Sequence, residues 1–111
     1  MLYIAIDGDR IGELLERLLL TEDLGGARRL SETVNCAVAA IGEALKRQGC
    51  ELVFAAGDGV FAVASQDVDV AAVPLHHGLL TFSMGISDSP REALLALKVA
   101  KGLGRNQMVR R

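Results

Sequence analysis

The sequence lacks the features that are typical of proteins with a structural metal site, of secreted proteins and of membrane proteins. Its two cysteines, Cys36 and Cys50, lack a CxxC partner or a histidine at zinc spacing, so we expect them to be reduced and packed. No stretch approaches the roughly 20 apolar residues that span a bilayer, and no basic segment precedes an apolar run at the start. We therefore expect a cytoplasmic protein with no membrane partner.

An excess of basic residues is also missing. A formal net charge of −2 argues against binding long nucleic acid, which requires a broad basic surface. The charges are nevertheless segregated along the chain, because residues 98–111 hold five cations and no acid, whereas the first 23 residues are rich in acids. This division suits a small polyphosphate ligand better than a polymer.

Length and composition indicate one domain. The chain has 111 residues, of which 50% are hydrophobic, and no repeat or low-complexity linker divides it. This is enough to bury one core but too little for two. We therefore assign residues 1–111 to a single domain.

Hydrophobic patterns and breakers predict the elements in order. A strand (2–6) precedes a helix (9–20) with Asp9 as its N-cap, and after a break (21–26) a second helix reaches residue 48, where Gly49 closes it. A hairpin (51–64) turns at residues 57–59. Residues 65–78 suggest a short helical turn and a loop, and a strand (79–87) leads to a last helix starting at Pro90, capped by Ser89.

This order of elements fits an α+β fold of the ferredoxin type, with an antiparallel four-stranded sheet and helices on one side. Its first and third strands are antiparallel neighbours, so Asp7 at the end of one should lie beside Asp58 at the start of the other. A helix of about 13 residues from Pro90 spans roughly 20 Å, the length of the preceding strand. We expect it to return Lys101 and Arg105 to the carboxylates.

Paired carboxylates beside cations are the groups that phosphoryl transfer from a nucleoside triphosphate requires. Backbone N–H groups of residues 8–10, at the start of a helix, add an anion cradle. Each feature has a simpler explanation, since Asp-Gly pairs are usually turns and terminal cations usually solvated. Adjacent His76 and His77 point in different directions on a loop, which favours a surface or packing role over metal binding. The functional interpretation depends on convergence of the features.

Four stretches together resemble a known palm domain. They are "IDGD", "AAGDGVFAV", "LTFSMGIS" and "ALKVAKGLGRNQMV". The resemblance is to the palm shared by GGDEF diguanylate cyclases, class III nucleotidyl cyclases and the polymerase-like subunit of type III CRISPR complexes. The small size and the "DGDxIG" form of the first motif make the chain most similar to the minimal CRISPR polymerases, which are linked to anti-phage defence.

The resemblance implies roles for individual residues. Asp7 and Asp58 would be the catalytic carboxylates and, with the Gly8 carbonyl, would bind two Mg²⁺ or Mn²⁺ ions. The residues expected to contact the nucleotide or its triphosphate are Gly8, Asp9, Arg10, Gly57, Lys101 and Arg105. The chain departs from the GGDEF pattern at Gly59, where an acid is absent, and at Leu15, where diguanylate cyclases carry an Asn that reads guanine.

We therefore predict a nucleotidyltransferase that joins ATP into a cyclic nucleotide messenger and releases pyrophosphate. As the resemblance implies, the messenger would act on a separate effector. A homodimer is expected, because one small palm has one triphosphate site and a cyclic dinucleotide requires two nucleotides. Two alternatives remain, a degenerate palm that binds nucleotide as a sensor or interaction module, and a palm enzyme that opens the guanine ring of GTP by hydrolysis.

Overall fold

The computed structural model describes all residues from 1 to 111. In chain order its elements are β1 (Leu2–Gly8), α1 (Ile11–Leu20), α2 (Leu24–Arg47), β2 (Glu51–Ala56), β3 (Gly59–Ala64), β4 (His76–His77), β5 (Leu80–Ser87), α3 (Pro90–Gly102) and β6 (Met108–Arg110). A 3₁₀ turn, Val70–Ala72, lies between β3 and β4. The poorly patterned segment 65–78 thus contains the predicted short helical turn and, in addition, a strand of two residues.

The strands form one mostly antiparallel sheet, which confirms the predicted fold class. Their order is β2-β3-β1-β5-β4, and β6 pairs in parallel with β5. The sheet therefore has six strands, not the four that we expected. The additional strands, β4 and β6, have two and three residues. Segments this short cannot display the alternation that reveals a strand in a sequence.

The pairing of β1 with β3 is the feature of the sheet that positions the candidate site. β1 pairs with β3, as predicted, and its other edge pairs with β5. Asp7 is paired with Gly59. Gly57 and Asp58 form the turn between β2 and β3, and Gly57 has a φ of 59°, which favours glycine. The hairpin prediction is confirmed, and the turn brings Asp58 to the end of β1.

One face of the sheet carries the main hydrophobic core, against α2. Ile4 and Ile6 of β1 point into it with 0% and 2% of their surface exposed. From α2, residues at helical spacing enter the same cluster: Val34, Ala37, Val38, Ile41 and Leu45. Their spacing of three and four residues is that of one face of an amphipathic helix. Burial of such side chains contributes about 1.5 to 3 kcal/mol each, so this face supplies most of the hydrophobic stabilisation.

The opposite face of the sheet is covered in part by α3, so the prediction of helices on one side is wrong. Ala5 of β1 packs with Ala93 and Leu97 of α3 in a separate small cluster. The helix approaches very closely at Gly85, where an added Cβ would lie 2.3 Å from the backbone of Ala93 and of Leu97. The small residues Ala5 of β1 and Gly85 of β5 thus allow α3 to pack closely against this face of the sheet.

The ends of the helices follow the sequence signals with one exception. Asp23 caps α2 by accepting from the Gly26 N–H at 2.8 Å, so the break between α1 and α2 is shorter than predicted. Gly49 has a φ of 83° just beyond α2, and the Ser89 hydroxyl accepts from the Glu92 N–H at 3.1 Å, as expected. The exception is α1, which begins at Ile11 and has no side-chain cap.

The two cysteines form no disulfide, and only one of them is buried. Both thiols are free, and Cys50 is buried, which raises its pKa. Cys36, which we expected to be packed, is exposed on α2 because it falls on the outer side of the helix. No helix is both long and apolar enough to cross a bilayer.

Candidate active site

Two carboxylates from distant parts of the sequence meet at one end of the sheet. Asp7 occupies the end of β1, and the backbone of Asp58 accepts a hydrogen bond from the Gly8 N–H at 3.0 Å. Burial, together with the negative charge of Asp7, raises the pKa of the Asp58 carboxyl. The side chain of Asp7 remains 39% exposed. The pair is therefore a site of unbalanced negative charge that is open to solvent.

Lys101, in the last turn of α3, contacts one member of this pair, Asp7. Its ammonium group donates to the Gly8 carbonyl at 2.8 Å and is 3.0 Å from Asp7 Oδ2. It is also 3.6 Å from Asp9 Oδ1, and 23% of its side chain is exposed. The predicted length of α3 was thus correct, and it brings the expected cation to the expected carboxylate.

Asp9 has a different position from the one that we predicted. It is not the N-cap of α1, because its buried carboxylate points away from the helix and accepts from the Thr81 and Ser83 hydroxyls, each at 2.7 Å. The Asn106 N–H donates to it at 3.0 Å. Burial alone would raise its pKa, but these hydrogen bonds and the nearby Lys101 charge hold the pKa below its usual value. Asp9 therefore joins β1, β5 and the segment after α3.

The three partners of Asp9 were missed in the sequence. The strand predicted at 79–87 gave Thr81 and Ser83 no role, because a polar residue on a strand face is usually solvated. The signal that could have found them is their central strand, since β5 has neighbours on both sides and its Ser83 is fully buried. A buried hydroxyl requires a partner, and a carboxylate at the end of the adjacent strand is the available acceptor.

Arg105 and Arg10 border a cleft of about 340 Å³, and Asp9 is the carboxylate in its lining. Both residues have positive φ angles, 67° for Arg105 and 57° for Arg10. The Nε–H of Arg105 is buried and has no hydrogen-bond partner. Buried donors are rarely left unpaired, so this N–H is a donor that the protein itself does not satisfy. Arg105 thus lies near the site as predicted, but it contacts neither Asp7 nor Asp58.

A second, smaller pocket of about 150 Å³ opens between α1 and α2. Its wall is mainly apolar, and its lining residues are Ile11, Leu15, Leu30, Ser31, Val34, Asn35 and Gly57. Leu15, the residue in place of a guanine reader, and Gly57, from the predicted set, are both here. Sequence patterns missed Ser31 and Asn35, because two polar residues on an amphipathic helix ordinarily face solvent.

The donor set at the end of β1 is suited to a divalent cation of the Mg²⁺ type. It consists of hard oxygen atoms, and the Lys101 ammonium already lies as a cation between Asp7 and the Gly8 carbonyl. No cluster of three or more His, Cys, Asp or Glu side chains suitable for a metal occurs in the protein. Sites for Mg²⁺ with one or two carboxylates are common where substrate phosphates complete the coordination. The residues present therefore fit such an ion bound together with a phosphate ligand.

The adjacent histidines do not contribute to this site as ligands. His77 contacts the Pro74 carbonyl at 2.9 Å and packs edge-on against Phe82, while His76 contacts the Asn106 side chain. The expected surface or packing role is thus observed, with His76 exposed and His77 packed, and His76 in addition contacts the residue that donates to Asp9.

Comparison with known proteins supports the interpretation of the geometry. The model of the minimal CRISPR polymerase domain, mCpol, matches residues 3–111. The chain belongs to the minimal CRISPR polymerase family. Among solved structures, the minimal CRISPR polymerase fold is similar to the GGDEF domain of DgcB from Caulobacter crescentus, solved in complex with c-di-GMP, with a TM-score of 0.60 and 16% identity. The match covers 98% of this chain and 76% of the GGDEF chain.

A comparison with curated protein sequences gave no match. The family match identifies a minimal CRISPR polymerase domain, and the GGDEF structure agrees with this chain in its fold. At 16% identity, the likeness to the GGDEF structure concerns the fold alone. The roles of individual residues in this minimal CRISPR polymerase therefore depend on its own geometry.

Proposed function

We propose that the protein is a metal-dependent nucleotidyltransferase that converts ATP into a cyclic di- or oligonucleotide messenger. The observation that carries the proposal is the meeting of Asp7, Asp58 and Lys101 at one end of the sheet. Two carboxylates and one cation next to an arginine-lined cleft are the groups needed to hold a metal-bound triphosphate. Membership of the minimal CRISPR polymerase family supports a role of the messenger in anti-phage defence, through a separate effector.

Asp7, Asp58 and the Gly8 carbonyl would hold two Mg²⁺ or Mn²⁺ ions. When bound, the ions lower the pKa of the attacking hydroxyl and stabilise the leaving pyrophosphate. The raised pKa of Asp58 is consistent with this role, since a cation between it and Asp7 would relieve their repulsion. The chain supplies only part of the coordination shell, so we expect strong metal binding only together with a triphosphate.

The arginine-lined cleft would bind the triphosphate. Arg10 and Arg105 border it, and the buried Nε–H of Arg105 has no partner within the protein. The first N–H groups of α1 have no side-chain cap and can donate to the same anion. Lys101 lies beside the cleft and can reach the β- and γ-phosphates. In the reaction, a ribose hydroxyl forms a bond to the α-phosphorus of another nucleotide, the bond to pyrophosphate breaks and the hydroxyl proton passes to water.

The pocket between α1 and α2 would hold the base, and its chemistry favours adenine. Leu15 cannot pair with the polar edge of guanine, and leaving that edge buried without a partner costs about 1 to 3 kcal/mol per lost hydrogen bond. The Asn35 amide lines the same pocket and can donate to and accept from either purine, so the adenine preference depends on Leu15 alone. We therefore expect ATP to outcompete GTP in mixtures of the two. Equal use of both, or product from GTP alone, would contradict the adenine assignment.

Incubation with each nucleoside triphosphate and Mg²⁺ or Mn²⁺, followed by mass spectrometry, tests the reaction. We expect a cyclic adenine nucleotide and pyrophosphate from ATP. Asp7→Ala and Asp58→Ala should abolish turnover while each variant remains folded, because Asp7 lies near the end of β1 and Asp58 in the turn before β3, both outside the core. Asp88→Ala is a matched control, since Asp88 is an exposed carboxylate with one weak contact. Wild-type turnover by either active-site variant would refute the assignment.

A degenerate palm that binds nucleotide without chemistry is the second candidate. It is favoured by Gly59, which removes one acid from the GGDEF pattern, and by Asp9, whose carboxylate is engaged by three hydrogen bonds. This candidate predicts nucleotide binding with no product from any triphosphate. A ring-opened product from GTP would instead identify the hydrolase alternative.

A homodimer would provide the second nucleotide. Specific activity should then fall when the protein is diluted below the dissociation constant of the dimer. Light scattering over the same range of concentrations measures the oligomeric state directly. Cyclic product from a monomer, with a rate per molecule that does not change on dilution, would exclude this arrangement.

A further inference from the structure

Lys101 is bound to the same atoms that would bind a metal ion. Its ammonium group donates to the Gly8 carbonyl at 2.8 Å and pairs with Asp7 Oδ2 at 3.0 Å. A divalent cation on Asp7 and the Gly8 carbonyl would lie at the position of the ammonium group. The ammonium group and a metal ion cannot share these oxygen atoms, because the two cations would overlap in space and repel each other. Metal binding at this position therefore requires the Lys101 side chain to leave.

The surroundings of Lys101 allow such a movement. The side chain is 23% exposed and extends from the last turn of α3. Its flexible four-carbon stem can redirect the ammonium group without moving the helix. The adjacent cleft is lined by Arg10 and Arg105 and would hold an anion in reach of a displaced lysine. When no anion is bound in the cleft, Lys101 has no better partner than the Asp7 carboxylate.

We propose that Lys101 is a displaceable counter-ion that keeps divalent cations out of the empty site. It neutralises Asp7 while no phosphate is present, and it moves to the phosphate when a metal enters together with a nucleotide. The nature of the anion rests on the proposed function, but the competition between lysine and metal does not. In this way the protein would bind metal and triphosphate as one unit, and it would resist loading by free metal.

Titration with Mn²⁺ alone, followed by electron paramagnetic resonance, tests the competition. Lys101→Met removes the charge but retains an unbranched side chain, and we expect it to bind Mn²⁺ at least about tenfold more tightly than the wild type. Lys98→Met is the matched control on the same helix, because Lys98 is exposed and forms no ion pair. Its Mn²⁺ affinity should equal that of the wild type.

The direction of the effect separates this role from two others. A lysine that only contacts phosphate would leave the affinity for metal alone unchanged, and one that only maintains the fold would lower it on removal. Either result would overturn the proposal. The distinction from the proposed function is also clear, since tighter Mn²⁺ binding by Lys101→Met would stand even if ATP gave no product. Conversely, if the wild type converts ATP but Lys101→Met binds Mn²⁺ with the same affinity as the wild type, the counter-ion role is refuted and the proposed function is not.

A measurement on the wild type covers the case in which Lys101→Met does not fold. The Nζ protons of a lysine held in an ion pair exchange with water more slowly than those of a solvated lysine. The ¹⁵N resonance of Nζ reports this rate of exchange. We expect the Lys101 signal to be protected without metal and to lose this protection on saturation with Mg²⁺. A signal that stays protected at saturating Mg²⁺ would show that lysine and metal bind together, contrary to the proposal.

Discussion

Replacing Gly85 with alanine should destabilise the protein strongly, because this glycine is the point where α3 touches the sheet. An added Cβ would lie 2.3 Å from the Ala93 carbonyl oxygen and from the Leu97 backbone nitrogen. Ordinary contacts begin near 3.4 Å, so the helix must move by about 1 Å. Overpacking of this kind costs about 1 to 3 kcal/mol, and the upper end applies here because backbone atoms cannot rotate away.

Urea denaturation followed by circular dichroism measures this effect. We expect the free energy of unfolding to fall by about 2 to 3 kcal/mol, which for a domain of this size lowers the melting temperature by roughly 10 °C. Gly102→Ala is the control on the same helix, where an added Cβ meets no atom within 4 Å. Helix propensity predicts a gain of up to about 1 kcal/mol for it. If Gly85→Ala stayed within about 0.5 kcal/mol of the wild type, the close packing of α3 on β5 would be refuted.

Three further predictions concern the charged groups. Asp9→Asn should lower stability by about 2 to 3 kcal/mol at pH 7, since it removes charge-assisted hydrogen bonds, and the difference should narrow below about pH 4 as the wild-type carboxyl becomes protonated. Asp58→Asn should stabilise the metal-free protein at pH 7, because the raised pKa of Asp58 means that its ionisation disfavours the folded state. This gain in stability should vanish near pH 3, where Asp58 is protonated in both the folded and the unfolded state. Urea denaturation at the two pH values measures the difference. Lys101→Ala should lower kcat/KM for ATP by roughly tenfold to a hundredfold, whereas Lys98→Ala should change it little, and equal effects would contradict the specific role of Lys101.

The sequence predicted the parts of the site that depend on strand ends and helix length. An Asp-Gly pair after an apolar run marked the end of β1, and the Gly-Asp-Gly turn marked the start of β3. Antiparallel pairing of neighbours then required Asp7 and Asp58 to meet. Likewise, the cap at Ser89 fixed the start of α3, and the rise per residue fixed the position of Lys101. These features are local, so the pattern of residues determines them.

The face that α3 covers and the role of Asp9 could not be predicted in this way. The choice of face depends on how small residues from β1 and β5 combine, which is a property of two strands distant in sequence. A carboxylate before a helix is typical of an N-cap, and only the buried hydroxyls of β5 give Asp9 a stronger set of partners. Tertiary contacts override the local preference at both places.

The hydrogen bond from Asn106 to Asp9 joins residues 97 positions apart, and Lys101 reaches Gly8 across 93 positions. Contacts so distant in sequence form only after most of the chain is available to fold. During synthesis the carboxylates of β1 emerge first, and the helix that balances their charge emerges almost last. A nascent or truncated chain that ends before α3 would thus have the two acids without their cation. The complete arrangement of Asp7, Asp58 and Lys101 would arise only when translation of the domain is finished.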